Sequence, residues 1–94
     1  MSPEKRWYVY IVQCSDGSYY TGVTTDVQRR VKEHNKSSKG AKYTRPRRPV
    51  HLLCSAGCYT QSKALKLERE IKSLKKSQKI DRIIELIEEA HSEA

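Results

Sequence analysis

Two tyrosine-bearing triplets, an arginine, a histidine and a glutamate are the residues of this chain whose types and spacing could do chemistry. Tyr8-Val9-Tyr10 and Tyr20-Thr21-Gly22 flank a turn at Asp16-Gly17, Arg30 and His34 follow, and Glu68 lies further on. Phenols and an imidazole can move protons, and a guanidinium can stabilise the extra charge of a pentavalent phosphate. Those are the requirements for cutting a phosphodiester.

Helical phase selects among neighbours. At about 100° per residue with Val27 at zero, Val31 falls at about 40°, Arg30 at about −60° and His34 at about −20°. Arg29 falls at about 200°, on the opposite side, so Arg30 is the arginine placed to enter a pocket. With Leu67 at zero, Glu68 lies at about 100°, between Ala64 at about 60° and Leu65 at about 160°, whereas Glu70 lies at about −60° beside Lys66. Apolar neighbours on both flanks make Glu68 the better-enclosed carboxylate. A lone carboxylate that leaves other positions to water and phosphate suits Mg²⁺ or Mn²⁺. The plainer pairing for Glu68 is Lys72, one turn on.

Whether the tyrosines share a site depends on hairpin register. If Asp16-Gly17 is the whole loop, paired positions sum to 33 and Tyr10 and Tyr20 lie on opposite faces. A three-residue loop with a glycine bulge takes the sum to 34 and puts both on one face.

A hairpin and two helices must hold these groups. Trp7 to Cys14 reads as a strand, Asp16-Gly17 as a turn and Tyr19 to Val23 as the returning strand. Thr25 with Gln28 has the form of a capping box, predicting a helix from near Asp26 to about Asn35. Residues 36–49 are basic and aperiodic, broken by Gly40, Pro46 and Pro49, and read as a long loop of the kind that is often functional. Val50 to Ser55 is a third strand. A helix from Ser62 to Leu74 turns Ala64, Leu67, Ile71 and Leu74 inward. A last helix, about 77–91, has Ser77 as its N-cap and Ile80, Ile83, Ile84 and Ile87 facing in. The order β-β-α-β-α-α predicts an α+β domain, with helices packed on a small three-stranded antiparallel-type sheet.

Composition bounds the partners. Ninety-four residues make a single domain with one modest core. A formal charge of +8 points to a polyanion, with nucleic acid ahead of an anionic membrane. Residues 1–50 hold eleven Lys/Arg against four Asp/Glu, and residues 51–94 eight against seven, so the polyanion is expected at the N-terminal half. Glu85, Glu88, Glu89 and Glu93 read as the solvated side of the last helix. No apolar run suits a signal peptide or membrane span, which predicts a cytoplasmic protein. Cys14, Cys54 and Cys58 are odd in number and lack zinc-finger spacing, so reduced, packed thiols are expected.

Together these residues resemble the GIY-YIG nuclease superfamily, over residues 7 to about 72. Tyr8-Val9-Tyr10 stands where that family has Gly-Ile-Tyr, and Tyr20-Thr21-Gly22 where it has Tyr-Ile-Gly. Asp26 to Val31 matches the helix carrying its catalytic arginine, at Arg30, and His34 falls where relatives have His or Tyr. Ala64-Leu65-Lys66-Leu67-Glu68 matches the stretch ending in the metal-binding glutamate. The Lys-Gly-Ala-Lys loop at Lys39 to Lys42 is similar to that of the small single-domain bacterial members, the UPF0213-type proteins. Tyr8 replaces a glycine, and Val23 stands where some members have a lysine.

The resemblance implies a metal-dependent DNA endonuclease, with a link to DNA repair. Glu68 would bind one Mg²⁺ or Mn²⁺, Arg30 would stabilise the transition state, and Tyr10, helped by Tyr20 or His34, would take the proton from water. Products would carry a 5′-phosphate and a 3′-hydroxyl. Lys39, Lys42, Arg45, Arg47 and Arg48 would contact phosphates, and Tyr43 could stack on a base. The alternative is a non-catalytic nucleic-acid module with a degenerate site. RNA as the ligand, a protein partner supplying specificity, and a monomer or weak dimer stay open.

Overall fold

The computed structural model describes residues 5–92, so Glu93 lies outside the described residues. Strand β1 (Trp7–Gln13) is apolar almost throughout because it is the central strand, buried on both faces. The sheet order is β2-β1-β3, all antiparallel, with β2 (Tyr19–Thr24) and β3 (His51–Tyr59) at the edges. Val9 and Ile11 enter a core completed by Ala56 of β3, Leu67 and Ile71 of α2 (Gln61–Ser73), and Ile83 and Leu86 of α3 (Lys76–Ser92). Tyr10 and Val12 point the other way, to a second cluster with Cys14, Val50 and, from α1 (Val27–Lys36), Val27 and Val31. Each such large side chain contributes roughly 1.5–3 kcal/mol by leaving water. The α+β architecture and the order β-β-α-β-α-α are those the sequence predicts.

The hairpin loop is three residues, Ser15 to Gly17, starting one residue before the Asp16-Gly17 turn. Cys14 N–H donates to the Ser18 carbonyl at 2.8 Å, and Gly17 N–H to the Cys14 carbonyl at 2.9 Å. Gly17 has φ 85°, in the left-handed region that favours glycine. Tyr10 therefore pairs with Gly22 and Val12 with Tyr20, and paired numbers sum to 32. The parity is even, so Tyr10 and Tyr20 share a face. Gly22 is required opposite Tyr10, whose ring lies across it; a Cβ there would stand 2.5 Å from the Tyr10 hydroxyl.

Several element boundaries differ from the sequence reading. β3 continues past Ser55 to Tyr59, because the Tyr8 ring lies over Gly57, where a Cβ would come within 1.8 Å of Tyr8 Cδ2. Its register shifts leave Cys58 at φ 70° as an extra, bulged residue between the Tyr8 and Trp7 pairings. The α1 cap is Asp26, not the Thr25–Gln28 box; its carboxylate accepts from Arg29 N–H at 3.1 Å. Thr60 caps α2. α3 starts at Lys76 rather than after a Ser77 cap, with Gln78 Oε1 accepting from Lys75 N–H at 3.2 Å. On α3 the inward face holds Ile80, Ile83, Leu86 and Ile87, while Ile84 is 43% exposed. The basic loop is folded too. It contains a 3₁₀ turn, Arg45–Arg47, and its far end is tied to α1 by two hydrogen bonds between the Asn35 amide and the Val50 backbone.

Candidate active site

The shared hairpin face meets α1, and the contact is aromatic and polar. Tyr10 is only 1% exposed, and its hydroxyl lies 2.6 Å from His34 Nε2. His34 is wholly buried; its Nδ1 is 3.0 Å from Thr44 Oγ1, which donates to the Ala41 carbonyl at 2.9 Å. Tyr20, half-buried, sets its ring edge-on to His34 at 5.3 Å between centroids and stacks on Tyr43 at 6.1 Å. Burial pushes the Tyr10 phenol up to about 12; Arg30 opposes this, while Tyr20 and Glu68 add to it. Burial likewise drives His34 down to about 4, with Arg30 and Arg48 in the same direction. At neutral pH both groups are uncharged.

Arg30, Tyr20 and Glu68, from three elements, thus act electrostatically on Tyr10. The Arg30 side chain is 24% exposed against 56% for Arg29. Its Nη1 donates to Glu33 Oε1 at 3.0 Å and to the Lys39 carbonyl at 2.9 Å, and its charge is close enough to act on the Tyr10 phenol. Burial works against its charge, but Glu33 and Tyr10 hold its pKa above the ordinary value. Glu68 is 20% exposed against 44% for Glu70, which pairs with Arg82 at 2.5 Å. Glu68 lies at the rim of the buried face rather than between two apolar walls, since Leu65 is exposed. Its partner is Lys72, at 3.4 Å, whose ammonium also stands 5.8 Å from the Tyr20 ring centroid.

The loop arginines are largely engaged in building the loop. Arg48 caps the end of α1, donating to the His34 carbonyl and to the Ser37 carbonyl at 2.5 Å. Arg45 donates to the Gly40 and Ser38 carbonyls. Arg47 pairs with Asp16 at 3.1 Å, donates to the Tyr43 carbonyl and lies 3.9 Å over the Tyr43 ring. Tyr43 therefore sits against both Tyr20 and Arg47. Lys39 and Lys42 are exposed.

Sequence reasoning missed Thr44 and Lys72. Thr44 sat in an aperiodic loop and carried no pattern. Lys72 was visible only as a partner of Glu68, and its approach to Tyr20 depends on packing between α2 and β2. The near-neutral balance of residues 51–94 hides two stretches of opposite sign. Residues 61–76 hold six Lys/Arg against two Glu, and residues 77–94 two against five Asp/Glu, so α2 is basic and α3 acidic.

The donor set can be tested against a metal. Among the described residues no three His, Cys, Asp or Glu side chains gather as a ligand cluster. A single half-buried carboxylate near the Tyr10 phenol fits a hard, largely hydrated ion such as Mg²⁺ or Mn²⁺, completed by water and phosphate, and does not fit zinc.

An α1 cation and a rim carboxylate converging on a tyrosine-bearing hairpin define a small nuclease-type domain. The chain belongs to the GIY-YIG family, and the profile of the GIY-YIG catalytic domain matches residues 6–81. It is 55% identical over 73 residues to the UPF0213 protein DP2720 of Desulfotalea psychrophila, spanning 78% of this chain and 66% of that one. It is 52% identical over 79 residues to the UPF0213 protein H16_B0156 of Cupriavidus necator, spanning 84% and 85%. Among solved structures it is similar to the protein EF2693 of E. faecalis, with a TM-score of 0.59 and 40% identity over 100% of this chain and 95% of that one. No helix among the described residues is long and apolar enough to cross a membrane.

Proposed function

We propose that the protein is a metal-dependent endonuclease that hydrolyses DNA. The observation that carries this reading is the joining of Tyr10 and Tyr20 of the hairpin to His34 of α1, with Arg30 and Glu68 near enough to act on the Tyr10 phenol. Glu68 would hold one Mg²⁺ or Mn²⁺, which supplies Lewis acidity at the scissile phosphate when bound. Arg30, already fixed by Glu33 and the Lys39 carbonyl, would stabilise the negative charge of the transition state without reorganising. Tyr20 is the tyrosine that reaches solvent, so it would meet the attacking water and take its proton. Tyr10 and His34 stand behind it as a buried pair that ties the hairpin to α1. Hydrolysis would leave a 5′-phosphate and a 3′-hydroxyl.

The nucleic acid would cross from the loop to α2. Lys39 and Lys42 are exposed in the loop, and on α2 Lys72 is exposed beside Glu68 and Tyr20. These cations would contact backbone phosphates, giving weak, salt-sensitive binding with little sequence discrimination. For Tyr43 to stack on a base, one of its present partners, Arg47 or Tyr20, would have to yield.

A non-catalytic nucleic-acid module is the second reading, favoured by the ion pair that occupies Glu68. Cleavage of single-stranded, duplex, flap and branched DNA with Mg²⁺ or Mn²⁺ separates the two. Glu68→Gln should abolish cutting; a wild type that never cuts, or a variant that cuts equally well, leaves the binding module.

A further inference from the structure

Thr44 belongs to neither family motif, yet it is wholly buried against His34. Its hydroxyl proton goes to the Ala41 carbonyl at 2.9 Å, which leaves the oxygen free to accept. At 3.0 Å, His34 Nδ1 must then be the donor, because two acceptors would repel at that distance. Nε2 is left unprotonated and accepts from the Tyr10 hydroxyl at 2.6 Å. The Tyr10 hydroxyl has His34 Nε2 as its hydrogen-bond partner, so its own proton is available to that nitrogen. The one contact against this pattern is the Ala41 N–H facing Nδ1, and at 3.4 Å it is the longest of the set.

We infer that Thr44 is a positioning residue that fixes His34 in the Nδ1–H tautomer, so that hydrogen bonds run one way from Tyr10 through His34 and Thr44 to the Ala41 carbonyl. Which ring nitrogen of a histidine carries the proton is set by the partner of the other one. Here that partner is supplied by the loop, so the folded loop between α1 and β3 dictates where the Tyr10 proton points. The consequence for turnover rests on the nuclease reading; the tautomer itself does not.

Long-range ¹H–¹⁵N spectra of the imidazole at neutral pH read the tautomer directly. Wild type should show a protonated Nδ1 and a bare Nε2, and Thr44→Ser should keep that pattern. Thr44→Val removes the acceptor while keeping the shape, so the Nε2–H form, with Ala41 N–H facing Nδ1, should become substantial. An Nε2–H wild type, or a Thr44→Val protein with the wild-type pattern, overturns the inference. If Thr44→Val does not fold, the wild-type tautomer alone still decides. In a cleavage assay Thr44→Val should slow cutting by less than the roughly 100-fold that direct loss of a general base costs, because His34 backs the Tyr20 ring rather than meeting the water, and Thr44→Ser should restore the rate. A protein with the Nδ1–H tautomer and no cleavage would refute the nuclease reading and leave the tautomer assignment standing.

Discussion

The Tyr10 hydroxyl and His34 Nε2 lie 2.6 Å apart, joining the central strand to α1 through a contact that is closed to solvent. A buried hydrogen bond of this kind is costly to half-remove, because the remaining partner stays desolvated. Tyr10→Phe should therefore destabilise the fold by about 1–3 kcal/mol, read as a lower urea midpoint with unchanged slope. A midpoint equal to wild type would mean that the pair contributes nothing.

His34 gives the fold an acid-side dependence. Unfolded, an imidazole protonates at about 6.5; folded, His34 does so only at about 4. Between those values the unfolded chain binds the extra proton, so stability is fully present above pH ~6.5 and falls as pH drops toward about 4, by up to ~3 kcal/mol. Urea titrations from pH 7.5 to 4 should show this loss, and His34→Gln should flatten it.

Gly22 and Gly17 are needed for different reasons and should differ in cost. Gly17→Ala meets nothing within 4 Å and carries only the strain of φ 85°, about 1 kcal/mol. Gly22→Ala would drive a Cβ into the Tyr10 ring and should cost more, about 2 kcal/mol or above. Thermal melts of the two variants test that order. Gly22→Ala should also lose cleavage, since displacing Tyr10 disturbs Arg30 and His34.

Lys72 and a divalent ion should compete for Glu68. Manganese binding without DNA, followed by the paramagnetic resonance of free Mn²⁺, should be abolished in Glu68→Gln. In Lys72→Met it should tighten by roughly 3-fold, in keeping with an exposed ion pair. Equal affinities for wild type and Lys72→Met would show that the pair does not guard the carboxylate.

How far the sequence foretold the site follows from how local each signal is. Arg30 against Arg29 and Glu68 against Glu70 could be ranked because helical phase is set within one turn, and Arg30 and Glu68 are the less exposed of each pair. The hairpin parity was not, since one loop residue decides it, and Cys14, Ser18 and Gly17 settle it through backbone bonds. On α3, adjacent Ile83 and Ile84 are equivalent to any hydropathy pattern; packing against Val9 and Ile11 buries the first and leaves the second outside, with Leu86 taking the inner place. Ala56-Gly57 has little strand propensity of its own, and the reason for the glycine lies across the sheet in Tyr8. Thr44 was invisible for the same cause: its partner is ten residues away, on a helix.

The most direct test of the account is Mg²⁺-dependent DNA cleavage by Arg30→Ala measured beside Arg29→Ala. The adjacent arginines share charge and helix but not direction, so general loss of phosphate attraction should affect both alike. The account predicts a loss on the order of 100-fold or more for Arg30→Ala, and a rate within about two-fold of wild type for Arg29→Ala, whose side chain is exposed and pairs with Glu33 only at 3.8 Å. Equal rates for the two variants, or a wild type that leaves every DNA substrate intact, would contradict it.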